Sequence, residues 1–376
     1  MNPIGVKKKH IVFLPHDYVE EHYVGKLFGW RIASSGVFNV AVQEVADTSL
    51  IGEIFDAKPN VIESDCLIGW WDNEKLRFQF KETEYSFEEY DIFSSVFSRN
   101  EGILESRELQ DVCAIISGCG SVGSLVALEL ARSGVGHFVL IDNDIVQYHN
   151  LCRHQCDIAD VGKYKVDALA ERIKRIQPRA EIKTSVSVIE QTPKSIFQEY
   201  GCDRNSIIVG CADNREADVY ANFLAATCEI PFISIGFWER AFAGEIFYYI
   251  PNRGMPCYEC AIGSTELSAR TQANHRFYTI QEDIEKTNFE PGISVDINFV
   301  TNIGIKLILD LVNIGNENYT QRLLPHLKQF TLVCNTNNPN IGGEMAEIFA
   351  YPLQVTTSLQ VGFGSQCKGK CNYEDS

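Results

Sequence analysis

The rhythm of apolar and polar positions changes near residue 96. Before it, aromatic-rich runs such as CLIGWWDNEKLRFQF (66–80) predict β-strands, and the Asp-Asn-Glu-Lys at 72–75 reads as a hairpin turn. After it, short apolar runs alternate with amphipathic ones. VCAIIS (112–117) predicts a strand, 122–133 a helix and HFVLID (137–142) a second strand. A further helix begins near 163, where Val166, Leu169, Ile173 and Ile176 recur at spacings of 3, 4 and 3 before Pro178 stops it. SIIVGCADN (206–214) is the next strand and 215–229 the next helix, with PFISIGF (231–237) and GEIFYYI (244–250) as two more strands. Strands alternating with helices imply an α/β fold, Rossmann-like and doubly wound, with a mostly parallel sheet. We expect residues 1–95 to form a small N-terminal α+β domain that binds a substrate or partner, and residues 96–376 to form the α/β domain. The polar segment at 264–292 is expected to be a mobile crossover region.

Composition narrows the function. The 376 residues are 45% hydrophobic and 22% charged, enough for one large core and a small second one. Fifty acidic against 33 basic residues give a net charge of −17, which disfavours nucleic acid and anionic membrane surfaces as partners. No apolar run approaches the roughly 18 residues a bilayer span needs. The basic start MNPIGVKKKHIVFLPHD has an apolar run of only four residues, too short for a signal peptide, so a cytoplasmic location is expected. Among the thirteen cysteines, Cys113, Cys119, Cys211 and Cys228 sit singly in apolar runs and read as small buried hydrophobes.

The chemistry concentrates after the first α/β strand. Gly118, Gly120 and Gly123 form GxGxxG between a strand and a helix, and Asp142 closes the next strand nineteen residues past Gly123. That combination suits a nucleotide: a tight turn, close backbone approach to phosphate, a helix N-terminus facing the anion, and a carboxylate for the ribose hydroxyls. Hydride transfer does not account for the stretch downstream of Asp142. Asp144, Asn150, Arg153, Gln155 and Lys165 crowd polar and cationic groups just beyond the ribose position. Cations converging on a triphosphate, with an aspartate for magnesium, suit chemistry at phosphorus.

The series GCGSVGS, LIDNDIVQYHNLCRHQ, DVGKYKVDALAERIKRIQP and CADN resembles the superfamily of ThiF, MoeB and the ubiquitin-activating enzymes, which adenylate a C-terminal carboxylate. The resemblance covers roughly residues 96–371 and implies ATP and Mg2+ rather than NAD. Carried over by position, it implies that Asp142 holds the ribose, that Asn150, Arg153 and Lys165 meet the phosphates, and that Asp213 positions magnesium. Asp144, Gln155 and Asn214 complete the implied nucleotide-binding set. FSRN at 97–100 resembles the arginine finger of these enzymes, which in many relatives works across a dimer interface, so Arg99 and a homodimer are implied.

Cys257 and Cys260 form CxxC, and Cys367 and Cys371 are spaced CxxxC in GSQCKGKC. Two thiolate pairs suit a tetrahedral structural Zn2+ stapling the C-terminal region, with a redox pair or unpaired core cysteines as the alternatives. The first pair matches the family, whereas the second has one residue more than the usual CxxC. Relatives carry a nucleophilic cysteine in the crossover region, at the place of Asn288, yet this sequence has no cysteine from 261 to 333.

The expected function is therefore ATP- and Mg-dependent adenylation of the C-terminal carboxylate of a ubiquitin-like or sulfur-carrier protein, releasing pyrophosphate. A conjugating enzyme is a further implied partner. The extension ahead of FSRN and the downstream SIGFWERAFAGEIFYYIPNRGMPCYEC are similar to the MccB-type branch, which nucleotidylates a short peptide; that is the alternative. A non-catalytic nucleotide-binding scaffold is the alternative from another class, against which the joint presence of Arg153 and Asp213 argues.

Overall fold

The computed structural model describes residues 8–45, 47–60, 65–201, 205–212, 214–263, 291–357 and 359–364. It divides into two compact units, 1–101 and 102–376.

In the first unit alternation sets the architecture. Leu76, Phe78 and Phe80 are buried while Lys75 before them and Arg77 among them are exposed, as on a sheet with one wet face. Seven strands, β1 (Ile11–Pro15), β2 (Gly25–Ile32), β3 (Val37–Val40), β4 (Ser49–Phe55), β5 (Leu67–Asp72), β6 (Lys75–Phe80) and β7 (Thr83–Tyr90), close into a barrel in the order β1-β3-β2-β4-β5-β6-β7. The expected turn is present: Asp72 pairs with Lys75 across a two-residue loop whose Asn73 has φ 57°. Asparagine takes that left-handed conformation at little cost. Val12, Leu14, Leu27, Phe38, Val40, Ile54 and Phe78 fill the interior. The expected α+β domain is corrected here, because the described residues of this unit hold only two five-residue helical segments, α1 (His16–Glu20) and a π-helical turn at Ile92–Val96. A closed barrel leaves no sheet edge or face needing helices to cover it.

The second unit is a mixed α/β fold. Its eight strands are β8 (Cys113–Ser117), β9 (His137–Ile141), β10 (Glu181–Ser185), β11 (Ser206–Gly210), β12 (Phe232–Phe237), β13 (Ala243–Tyr249), β14 (Phe330–Cys334) and β15 (Val355–Thr356), ordered β10-β9-β8-β11-β12-β13-β14-β15. Among the described residues its α-helices are α2 (Ser121–Ser133), α3 (Lys165–Ile176), α4 (Lys194–Gly201), α5 (Arg215–Thr227), α6 (Tyr258–Ile262), α7 (Ser294–Val312) and the short α8 (Pro339–Gly342). Every residue of β8 is buried, because alternate side chains enter two different cores. Ala114 and Ile116 pack in the core shared with α2, α3 and α7, whereas Cys113 and Ile115 pack in the core shared with α4 and α5. The sheet is thus covered on both faces, as doubly wound folds are.

From β10 to β12 the pairing is parallel; from β12 to β15 it is antiparallel. The expected mostly parallel sheet is therefore parallel over one half. Residues 238–242 alone connect β12 to β13, too short for the crossover of a dozen or more residues that a parallel pair needs. The 19-residue α7 escapes the sequence pattern because it is apolar around most of its circumference, with Ile297, Val300, Ile305, Leu307, Ile308 and Leu311 all buried. Most of the expected crossover region, 264–290, lies outside the described residues. Among the described residues no helix is long and apolar enough to cross a membrane.

Candidate nucleotide site

The three glycines divide by what surrounds them. Gly118 turns the chain out of β8 at φ 92°, and a Cβ there would stand 2.7 Å from the Ala212 nitrogen. At Gly123 a Cβ would overlap the Gly118 carbonyl oxygen, so helix α2 can lie against the turn only with glycine at that position. Gly120 differs: a Cβ there would meet nothing within 4 Å. It is also the N-cap of α2, with no side-chain cap and no acidic residue in the first turn. The N-cap of this thirteen-residue helix therefore borders open space, where the macrodipole favours an anion.

Asp142 leaves the end of β9 and holds that loop. Its Oδ2 accepts the Cys119 N–H at 2.7 Å and its Oδ1 accepts the Asp144 N–H at 2.8 Å. Each oxygen keeps a further lone pair for a ribose hydroxyl. Lys165, the first residue of α3, places Nζ 2.7 Å from Asp144 Oδ2. The lysine side chain is only 11% exposed against 65% for the aspartate, so the cation is set into the protein beside a solvated counter-ion. Asp142, Asp144 and Lys165 are thus brought together at one edge of the glycine loop.

Other expected residues have structural duties. Asn150 Oδ1 accepts the Gln147 N–H at 2.8 Å and caps a short 3-10 turn, and Asn214 accepts the Glu216 N–H at 2.9 Å as the N-cap of α5. The Gln155 N–H donates to Ser124 Oγ at 3.3 Å, docking the segment against α2. Arg153 is half-buried, and a Cβ at Gly292, just before α7, would stand 3.8 Å from its Nη1. Arg99 is exposed in the first unit, and Asp213 lies outside the described residues.

Sequence reasoning passed over two groups. His154 is 7% exposed; its Nε2 lies 2.6 Å from the Cys119 carbonyl oxygen, and its Nδ1 accepts the Cys156 N–H at 3.1 Å. Burial holds its pKa below the ordinary imidazole value. Nearby, Arg172 Nη2 bonds Asp160 at 2.7 Å and Asp157 at 2.5 Å, bracing the loop that leads into Lys165. Burial acts to raise Asp160, but the Asp157 N–H and Arg172 outweigh it and leave the carboxyl below its usual range. A histidine in a polar run has no periodicity to mark it; the Asp157 and Asp160 spacing before a helix was the available clue to the second group.

On the other side of the sheet a second polar group is sealed in. Glu245 accepts bonds from Arg215 Nη2 at 3.0 Å, Trp238 Nε1 at 2.9 Å and the Tyr258 hydroxyl at 3.4 Å. Asp218 accepts from the Ser234 hydroxyl at 2.5 Å, and burial pushes its carboxyl up to about 7. Beside it, Cys257 and Cys260 have sulfurs 3.6 Å apart, and the Gly364 N–H donates to Cys260 Sγ at 3.2 Å. Cys367, Cys371 and Asn288 lie outside the described residues. Among the described residues no cluster of three or more His, Cys, Asp or Glu side chains could hold a metal.

The profile described as the ThiF family matches residues 97–339. The chain belongs to this family. Among curated ThiF-related proteins it is 27% identical to the adenylyltransferase and sulfurtransferase UBA4 of Yarrowia lipolytica, over 42% of this chain and 38% of the relative. It is 25% identical to the ubiquitin-like modifier-activating enzyme 5 of Arabidopsis thaliana, over 59% of this chain and 54% of that one. The chain thus spans about half or less of the length of these relatives. Among solved structures, MccB of E. coli with ATP superposes with a TM-score of 0.52 at 18% identity, covering 73% of this chain and 74% of MccB, which shows a shared fold.

Proposed function

We propose that this ThiF-family chain adenylates a C-terminal carboxylate. One observation carries the reading: Gly120 stands uncovered at the bare N-terminus of α2, with Asp142 and the inset Lys165 beside it. The packed neighbours Gly118 and Gly123 explain themselves within the protein, whereas Gly120 has no intramolecular reason to lack a side chain. Adenylyltransferase relatives support the same reading. In it, the α2 amides bind the phosphates of ATP and Asp142 takes the ribose. A carboxylate oxygen attacks the α-phosphorus, the bond to the pyrophosphate oxygen breaks, and Lys165 and Arg153 offset the charge building on the leaving group. By the family resemblance we assign Asp213 to hold a magnesium ion, whose charge would add neutralisation there.

The acyl substrate we assign is the tail of a ubiquitin-like or sulfur-carrier protein. An Asn-ended short peptide is the second reading, favoured by the lack of any cysteine from 261 to 333, which leaves the adenylate to an external acceptor. We further assign Arg99 to a partner copy's phosphates in a homodimer. Cys257 and Cys260 fit one edge of a zinc tetrahedron, since Zn–S bonds of about 2.3 Å separate two ligand sulfurs by about 3.8 Å. The bond from Gly364 to Cys260 brings the chain to this pair three residues ahead of Cys367.

The test is ATP–pyrophosphate exchange with a Gly-Gly-ended carrier protein and, separately, an Asn-ended peptide. Exchange with one of them, lost in Lys165→Ala, is expected. Acyl-independent hydrolysis of ATP, or exchange unchanged in Lys165→Ala, would overturn the mechanism.

A further inference from the structure

The peptide linking Cys119 to Gly120 lies at the centre of the glycine loop. Residue Cys119 is gripped from two elements: its N–H by Asp142 at the end of β9, at 2.7 Å, and its carbonyl oxygen by His154 Nε2, at 2.6 Å. The surroundings fix the tautomer. Nδ1 faces the Cys156 N–H and must accept, so the proton resides on Nε2 and donates to the carbonyl. A trans peptide directs its C=O and its N–H to opposite sides. Drawing the Cys119 oxygen inward to His154 therefore turns the Gly120 N–H outward, at the residue where the surrounding space is open.

That N–H makes no hydrogen bond among the described residues. His154 is itself held rigidly. It is buried and bonded at both ring nitrogens, with Asp142, Lys165 and Arg172 as the charged groups acting on it. Cys119 beside it is fully buried, and burial keeps its thiol protonated. The imidazole thus has no access to a reacting group and acts only through the loop peptide.

We propose that His154 is a positioning residue for the triphosphate, fixing the Cys119–Gly120 peptide with the Gly120 N–H aimed at a phosphate oxygen. The assignment rests on the ATP reading above and adds a residue to it. It predicts a phosphate-specific effect, because the ribose carboxylate Asp142 grips the loop independently of His154. A histidine that merely filled the core would affect all parts of a nucleotide alike.

The full-length protein is titrated calorimetrically with Mg–AMPCPP and, separately, with adenosine. His154→Leu is expected to weaken AMPCPP about tenfold, as loss of a hydrogen bond worth roughly 1.4 kcal/mol would, while adenosine binding changes less than twofold. His154→Gln, whose amide can still donate to the Cys119 oxygen, is expected to recover most of the AMPCPP affinity. Equal weakening of both ligands in the leucine variant, or no weakening of either, overturns the assignment. Should the leucine variant not fold, His154→Asn, whose shorter amide falls short of that oxygen, is measured in its place, and wild-type AMPCPP affinity in it overturns the assignment. Wild-type protein that binds neither ligand defeats the ATP reading itself and the assignment with it, whereas normal wild-type binding with unaffected variants defeats only the role of His154.

Discussion

The two halves of the eight-stranded sheet treat polar groups in opposite ways. Where the strands are parallel, β8 and β9 end in loops whose polar atoms are only partly engaged: Gly120 faces open space and Asp144 is largely solvated. Where they are antiparallel, Glu245 on β13 is buried, and neighbours of the same unit occupy both its oxygens. A group that is to receive a ligand must keep bonding capacity in reserve, whereas a brace spends its capacity on the fold. The same carboxylate chemistry therefore makes a site in one half and a strut in the other. Substitutions should separate the two, since damage to the brace is read in stability and damage to the site in affinity.

The largest effect is expected where site and fold coincide. In Gly123→Ala the new methyl overlaps the Gly118 carbonyl oxygen, which is backbone and cannot swing away. We expect a loss of about 3 kcal/mol in urea unfolding, typical of severe overpacking, together with loss of nucleotide binding. A variant of wild-type stability would show that α2 does not rest on the turn as described.

Glu245→Ala breaks the brace alone. Trp238 Nε1 and the Tyr258 hydroxyl lose their acceptor inside the protein, while the partly exposed Arg215 can turn to water. An unsatisfied buried donor costs about 1–3 kcal/mol, so about 2 kcal/mol is expected, with AMPCPP affinity within twofold of wild type. An affinity loss as large as the stability loss would erase the distinction between the halves.

How much of this was readable in the sequence divides along the same line. The parallel half announced itself because its requirements are local: apolar strands, glycines at Gly118 and Gly123 where no side chain fits, and the stripe from Val166 to Ile176. The antiparallel half depends on contacts distant in the chain, such as α7 packing over β12 and β13, and α7 is too uniformly apolar to show a stripe. The barrel's short alternating strands were visible, but not its closure, which is a property of all seven together. Within the site, position alone assigned Asn150 and Asn214 to the nucleotide, yet each has its side-chain oxygen engaged as a cap. His154 went unread for the converse reason, because its partner is a backbone carbonyl 35 residues away.

An effect visible only as a function of pH comes from Asp218. Its folded-state pKa is pushed up to about 7 from 3.8, so between those values the folded chain binds a proton that the unfolded chain has lost. Stability from this group is full below the unfolded value and is lost as pH rises through about 7. Asp218→Asn removes the titration while keeping an acceptor for the Ser234 hydroxyl. The stability of the variant relative to wild type should rise from pH 4 to pH 7 and then level off. A pH-independent difference would mean that Asp218 ionises normally and that its burial is relieved in solution.

The smallest change in stability, and the sharpest test of the contrast, is Gly120→Ala. The backbone there has φ −75° and ψ −151°, which alanine adopts without strain, and its methyl would meet nothing within 4 Å. Replacing glycine where the native conformation is allowed restricts the unfolded chain and typically stabilises by about 0.4–1 kcal/mol, although alanine is the poorer N-cap, so a net change within about 0.5 kcal/mol is expected. Affinity should behave differently. If the open space above Gly120 is where phosphates approach the backbone, the methyl occupies their place, and AMPCPP binding should fall about tenfold or more while adenosine binding holds. Because Gly123→Ala loses both properties and Glu245→Ala only stability, this variant completes the separation by losing only affinity. Unchanged AMPCPP binding in a folded Gly120→Ala protein would leave that space without a ligand and move the site away from the α2 N-terminus.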